Sequence, residues 1–216
     1  MTGPRLRVAD FRREIAWTLV VLLLAGLTVV ALWPRESGSQ ATDGGAGPAP
    51  APEAPVEPGA RQDAALADCT PQPGAPPQRL RGVSTTCMAD GETVDFGSVV
   101  PRPAVINVWA TWCEPCREEL PALQEYSARP DSPSVLGVQV MSDEADGLAM
   151  LSRLGVRFPS VHDADRSVAA ALRLPPALPA TYVVTGSGEL RRTDPHVFRS
   201  ADEVDEAVRT TLEGAG

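Results

Sequence analysis

The stretch Ala104–Tyr126, AVINVWATWCEPCREELPALQEY, constrains the fold more than any other part of this 216-residue chain. It opens with β-formers, Val105, Ile106, Val108 and Trp109, which predict a buried strand. Thr111 and Trp112 make a short turn into Cys113-Glu114-Pro115-Cys116, after which Leu120, Leu123 and Tyr126 recur at helical spacing. A strand feeding a helix whose first turn holds two cysteines suits thiol chemistry. The N–H groups and positive dipole end of a helix start favour an anion, so the first thiol ionises more easily. Cys116 lies one turn deeper on the same face, where it can close a disulfide with Cys113.

Charge and composition remove several function classes. All nineteen basic residues are Arg. Without Lys there is no Schiff-base lysine and no phosphate loop of the Walker A type. The net charge of −9 is uneven: Met1–Arg35 carries five Arg against Asp10 and Glu14, leaving −12 on the rest. So acidic a remainder lacks the basic footprint of a nucleic-acid binder.

Arg5, Arg7, Arg12 and Arg13 precede an uncharged run from Ile15 to Trp33. That run is close to the ~20 residues a helix needs to cross a bilayer. Trp17 and Trp33 stand near its ends, and the Arg excess puts residues 1–14 in the cytoplasm. A cleaved signal peptide is the competing reading, but its apolar core is usually ~7–15 residues. This run is longer and no clear A-x-A site follows, so an uncleaved single-pass anchor over 15–33 is expected. Residues 34–66, rich in Pro, Ala and Gly, are expected to be a disordered tether. Residues 67–216 then form the folded part, outside the plasma membrane.

Cys69 and Cys87 bracket a stretch with little periodicity. In an oxidising compartment an even cysteine count invites pairing. With Cys113–Cys116 as a switch, the remaining pair is Cys69–Cys87, read as a structural staple; a second, resolving redox couple is the alternative. Further on, Thr93–Phe96 reads as an edge strand, Ser134–Met141 as a strand and Asp143–Leu154 as a helix. Phe158–Val161 follows as a short strand or loop, Asp165–Leu174 as a helix, Thr181–Thr185 and Glu189–Arg192 as a hairpin. Ser200 caps a last helix, Ala201–Leu212. Strands alternating with helices, closed by a hairpin and a helix, predict an α/β fold with a mixed sheet.

A lone C-x-x-C also occurs in zinc sites, which need four ligands. There is no second C-x-x-C, and His162 and His196 have no ligand-like spacing, so both are expected at the surface or in loops. No metal and no cofactor are expected. In the redox reading Cys113 attacks and Cys116 resolves the mixed disulfide. Pro115 suits a first helical turn, where its missing N–H costs nothing.

The segment WATWCEPCREELPAL resembles the thioredoxin superfamily, and most of all its membrane-anchored TlpA/ResA branch of extracytoplasmic thiol-disulfide oxidoreductases. Pro121, five residues after Cys116, stands at the spacing seen in that superfamily. The resemblance implies a thioredoxin-like fold, a mixed central sheet flanked by helices, with an N-terminal transmembrane helix. It makes Pro179, just before TYVVT, the cis proline that faces the disulfide and presents backbone to a substrate chain. Thioredoxins carry a buried Asp where this chain has Asn107. The TlpA/ResA branch instead has a Glu three residues after the second cysteine, here Glu119, as the acid/base for Cys116. The bland alternative is that Glu118 and Glu119 form one solvated helix face. Trp112, Glu114 and Pro115 support the site, and the Glu114 carboxylate opposes the Cys113 thiolate, which tilts the couple toward a reductant. That branch does not require the Cys69–Cys87 pair, so the resemblance does not explain it.

The resemblance implies a monomeric reductase of protein disulfides, for example of apocytochrome c cysteines, recharged by a membrane electron carrier of the CcdA/DsbD type. Three rivals stand beside it: an oxidase that installs disulfides, a peroxiredoxin-like peroxidase, and a peptide-binding module. The peroxidase needs a Thr three residues before its cysteine, where this chain has Ala110.

Overall fold

The structure is a computed structural model, and it describes residues 55–214. The expected cytoplasmic tail (1–14), the anchor (15–33) and residues 34–54 of the tether lie outside the described residues. Among the described residues no helix is long and apolar enough to cross a membrane.

Seven strands form one sheet: β1 (Ser84–Cys87), β2 (Thr93–Asp95), β3 (Ala104–Trp109), β4 (Ser134–Val140), β5 (Ser160–Asp163), β6 (Ala180–Val184) and β7 (Leu190–Arg192). Their order is β2-β1-β5-β4-β3-β6-β7. β3, β4 and β5 run parallel, and the remaining pairs are antiparallel. The helices are α1 (Ala60–Ala64), α2 (Phe96–Val99), α3 (Glu114–Ser127), α4 (Glu144–Leu154), α5 (Ser167–Leu172) and α6 (Ala201–Glu213), with a 3-10 turn at Gln78–Leu80. This is the mixed α/β sheet flanked by helices that the pattern predicts.

β3 explains how the two faces are built. All six of its residues are buried, and because side chains alternate along a strand, each face receives every second one. Val105 and Trp109 join a core with α3, α4 and α6. Ala104, Ile106 and Val108 join the opposite core, with α2 and α5. Asn107 therefore points to the α3 side. At Gly137, which pairs with Asn107 in register, an added Cβ would lie 2.6 Å from Ser160 Oγ and 3.2 Å from Trp109 Nε1. The indole of Trp109 needs that glycine.

Several expectations are corrected. Residues 60–66, expected to belong to the tether, are folded: α1 forms at Ala60–Ala64, and Ala64 and Leu66 are buried in the α3–α4 core. The low apolar content of the Pro/Ala stretch hid two side chains placed to reach a core. The helix expected over Asp165–Leu174 is shorter, Ser167–Leu172, since Arg173 turns left-handed (φ 52°) ahead of Pro175-Pro176. Its start is held by the Asp163 carboxylate, which accepts from the N–H groups of Val168 and Ala169. His162 is not at the surface; it is buried on β5, in register with Thr86 and Gln139.

Candidate active site

β3 ends at Trp109, and the chain turns once before α3: the Cys113 N–H donates to the Ala110 carbonyl at 3.1 Å. Cys113 is the N-cap residue of α3, and its sulfur accepts from the Cys116 N–H at 3.2 Å. Glu114 and Pro115 occupy the first turn, where proline gives up no helical hydrogen bond. Cys113 and Cys116 are joined by a disulfide. Cys113 is 4% exposed and Cys116 0%, so an incoming sulfur meets Cys113 first. A thiolate released there would sit against backbone N–H groups at a helix start, which stabilise it.

The approach to Cys113 is shaped by the loop after β4. Trp112 Nε1 donates to the Met141 carbonyl at 2.9 Å, and the Thr111 N–H donates to Ser142 Oγ at 3.3 Å. Buried Gln139 fixes that loop through Nε2 to the Asp143 carbonyl at 2.7 Å and to Ser142 Oγ at 3.1 Å. Sequence reasoning missed Gln139. Its signal, a polar residue in an otherwise apolar strand, was visible but not specific. Arg117 pairs with Glu114 at 3.1 Å and donates to the Thr111 carbonyl. The guanidinium offsets the Glu114 charge that was expected to oppose the thiolate.

Pro179 follows a cis Leu178–Pro179 bond. Val108 pairs with Ala180, so Pro179 stands one position further along, beside Trp109 and the turn that leads to Cys113. A second cis bond, Arg102–Pro103, precedes β3. Next to Pro179 lies a cavity of about 80 Å³ whose lining includes Pro175, Ala177, Thr181, Thr193 and His196.

Glu118 and Glu119 do not share a solvated face. Glu118 reaches solvent and pairs with Arg199 at 3.0 Å. Glu119 is 0% exposed, three residues and so one turn beyond Cys116 on the same helix face. Its carboxylate accepts from Asn107 Nδ2 at 2.5 Å and from the Phe198 N–H at 3.4 Å. Burial pushes its pKa from 4.5 up to about 7, and the two hydrogen bonds hold it from rising further. Asn107, which cannot titrate, thus lies on the face that meets α3 and is hydrogen-bonded there to Glu119.

Cys69 and Cys87 are bonded to each other. They belong to the core on the opposite side of the sheet from Cys113 and Cys116. β1 and β3 are three strand positions apart, or about 14 Å. The two disulfides are thus on opposite faces of the sheet. Among the described residues no cluster of three or more His, Cys, Asp or Glu is placed to hold a metal ion.

The family model described as AhpC/TSA matches residues 78–193, more than half of the chain. A thiol-disulfide oxidoreductase ResA from Oceanobacillus iheyensis is 28% identical over 121 residues, covering 54% of this chain and 60% of the relative. A thiol:disulfide interchange protein DsbE homolog from Paracoccus denitrificans is 37% identical over 90 residues, covering 42% and 49%. A secreted Mycobacterium tuberculosis disulfide oxidoreductase, described as homologous to E. coli DsbE, superposes with a TM-score of 0.54 at 25% identity, over 62% of this chain and 98% of that one. The chain spans 60% or less of the length of these two curated relatives.

Proposed function

The chain belongs to the AhpC/TSA family, and from that premise we propose that it is a membrane-anchored, extracytoplasmic thiol-disulfide oxidoreductase that reduces disulfides in client proteins. The observation that carries this reading is the Cys113–Cys116 disulfide at the start of α3, with Cys113 the slightly exposed member, Cys116 fully buried, and the buried Glu119 one helical turn further along.

The reaction runs as two exchanges. In the reduced enzyme the Cys113 thiolate attacks one sulfur of a client disulfide; an S–S bond forms between enzyme and client, and the other client sulfur leaves as thiolate. Cys116 then gives its proton to the Glu119 carboxylate and attacks the Cys113 sulfur. The second client thiolate leaves, and the Cys113–Cys116 disulfide closes. Two electrons have passed to the client. A membrane dithiol carrier of the CcdA/DsbD type returns them through the same mixed-disulfide route. Pro179 lines the client's path, and apocytochrome c cysteines are a client class that suits the reading. The anchor at 15–33 keeps a monomeric enzyme near that carrier and raises its effective concentration there.

Family membership keeps one other reading in view, that of a peroxidase. Against it, Ala110 stands where that chemistry needs a Thr. The deciding experiment is the reduction potential of the Cys113–Cys116 couple in the full chain, with hydrogen peroxide consumption measured alongside. A value near or below roughly −270 mV with no peroxide turnover supports the reductase. A value near −120 mV makes it an oxidase that installs disulfides. Rapid peroxide turnover that needs Cys113 makes it a peroxidase. Peptide binding that survives Cys113→Ala, with no exchange activity in the parent, makes it a binding module.

A further inference from the structure

The geometry points to Asn107 as the positioning residue of the proton-transfer step: its side-chain amide holds the Glu119 carboxyl in place in both protonation states, giving N–H to the carboxylate and, after a half-turn of the amide, its oxygen to the acid. The inference rests on the reading of Glu119 as the acid/base for Cys116.

Three observations carry it. Asn107 is fully buried in the middle of β3, on the face that meets α3. Its Nδ2 makes two bonds, to Glu119 Oε1 at 2.5 Å and to Thr181 Oγ1 at 3.1 Å. Its Oδ1, equally buried, has no hydrogen-bond partner among the described residues. Buried acceptors are seldom left unused, and each such case asks for an explanation. Here the explanation is a state in which Glu119 carries a proton. A protonated carboxyl needs an acceptor for its O–H, and an Asn side chain holds one of each kind on the same carbon. A half-turn of the amide brings Oδ1 to the place where Nδ2 now meets Glu119. The Thr181 hydroxyl follows either orientation, because it can accept from Nδ2 or donate to Oδ1.

The step moves one proton and no electrons: the proton leaves the Cys116 sulfur for a Glu119 oxygen, and Asn107 changes only its hydrogen bonds. Asp at this position would not serve. Two carboxyls in hydrogen-bond contact share a proton and titrate as a pair, so Glu119 would no longer respond to Cys116 alone. The ionisable groups around Glu119 leave the amide this control. On α3 the group facing it is Cys116, once reduced. β3 and β6 present Asn107 and Thr181, neither of which titrates. On the segment leading into α6, Arg199 is turned to Glu118 and His196 to Glu203.

The test uses the full isotope-labelled chain in detergent. In the wild type, the Asn107 side-chain amide resonances are followed against the Glu119 carboxyl carbon as pH is raised. The two are expected to share one midpoint. An Asn107 amide that stays unmoved while Glu119 titrates overturns the proposal without any variant. Asn107→Leu removes the donor that favours the carboxylate. Its Glu119 midpoint is expected to rise, the pH profile of disulfide exchange to move the same way, and the rate at pH 7 to fall roughly tenfold. Asn107→Asp is expected to replace the single midpoint by two. An unchanged pH profile in both variants counts against the positioning role. Failure of the parent reading looks different: Glu119→Gln would then exchange at the wild-type rate at every pH.

Discussion

Arg61 and Glu144 meet in a two-point ion pair across 83 residues of sequence, Nη1 to Oε1 at 2.7 Å and Nη2 to Oε2 at 3.0 Å. The same Nη1 donates to the Met88 carbonyl at 2.9 Å. This contact fastens α1, where the expected tether ends, to the start of α4, and it brings the β1–β2 turn into the same knot. Arg61→Ala leaves a largely buried carboxylate without its partner. Exposed pairs are worth little and fully buried ones several kcal/mol when one side is removed. This half-buried pair is expected to cost about 2 kcal/mol, read from urea unfolding. Arg61→Ala/Glu144→Gln together should recover part of that loss; a single variant as stable as wild type would show that the pair contributes nothing.

The Cys69–Cys87 bridge closes an 18-residue separation. In the chain-entropy model a loop of this size is worth about 3 kcal/mol. Cys69→Ala/Cys87→Ala should therefore unfold at clearly lower urea, yet exchange disulfides at the wild-type rate, because the bridge lies on the far face of the sheet from Cys113. Unaltered stability with slowed exchange would instead make it a working second couple.

The contrast between these two regions shows what the sequence could carry. The strand–turn–helix around Cys113 was legible because periodicity, a motif and a turn all agreed within 23 residues. α1 was not: one helical turn of ARQDA inside a Pro/Ala stretch has no periodicity, and it is placed by Arg61 reaching Glu144 and by Ala64 reaching the core. His162 failed for a related reason, since a lone His in a short strand gives no hint of which face it takes. Glu119 was legible only through a family resemblance. Its neighbour Glu118 has the same side chain, and one residue of helical rotation separates a surface ion pair from a buried acid. The hydrogen bond from the Phe198 N–H, 79 residues away, could not be read at all.

Burial of Glu119 makes stability depend on pH. Its folded pKa, about 7, lies above the ordinary 4.5, so the folded state holds the proton more tightly than the unfolded one. The resulting stabilisation is complete below pH 4.5 and is lost as pH rises through 7. Between those limits the loss amounts to about 3 kcal/mol. Glu119→Gln keeps a neutral side chain at every pH. Relative to wild type, it should match in stability near pH 4.5 and exceed it above pH 8, by urea unfolding of the oxidised protein. A constant offset across that range would mean that Glu119 ionises in the folded state as readily as in the unfolded chain.

Trp112 and Met141 are the two large apolar side chains most open to solvent among the described residues, at 59% and 41%. They stand together, joined by the indole hydrogen bond to the Met141 carbonyl, and Trp112 immediately precedes Cys113. A Trp left exposed beside a reactive sulfur buries little in the free enzyme and has much to bury against a partner; such residues dominate binding energy at interfaces. Trp112→Ala should change folding stability by only about 1 kcal/mol, the worth of one hydrogen bond. Its effect should fall on client recognition. Toward a protein disulfide, kcat/KM is expected to drop roughly tenfold, mainly through KM. A small disulfide, which touches Cys113 and little else, should react at close to the wild-type rate. If both substrates slow by the same factor, Trp112 acts on the chemistry at Cys113, and the apolar pair is not the surface that receives the client.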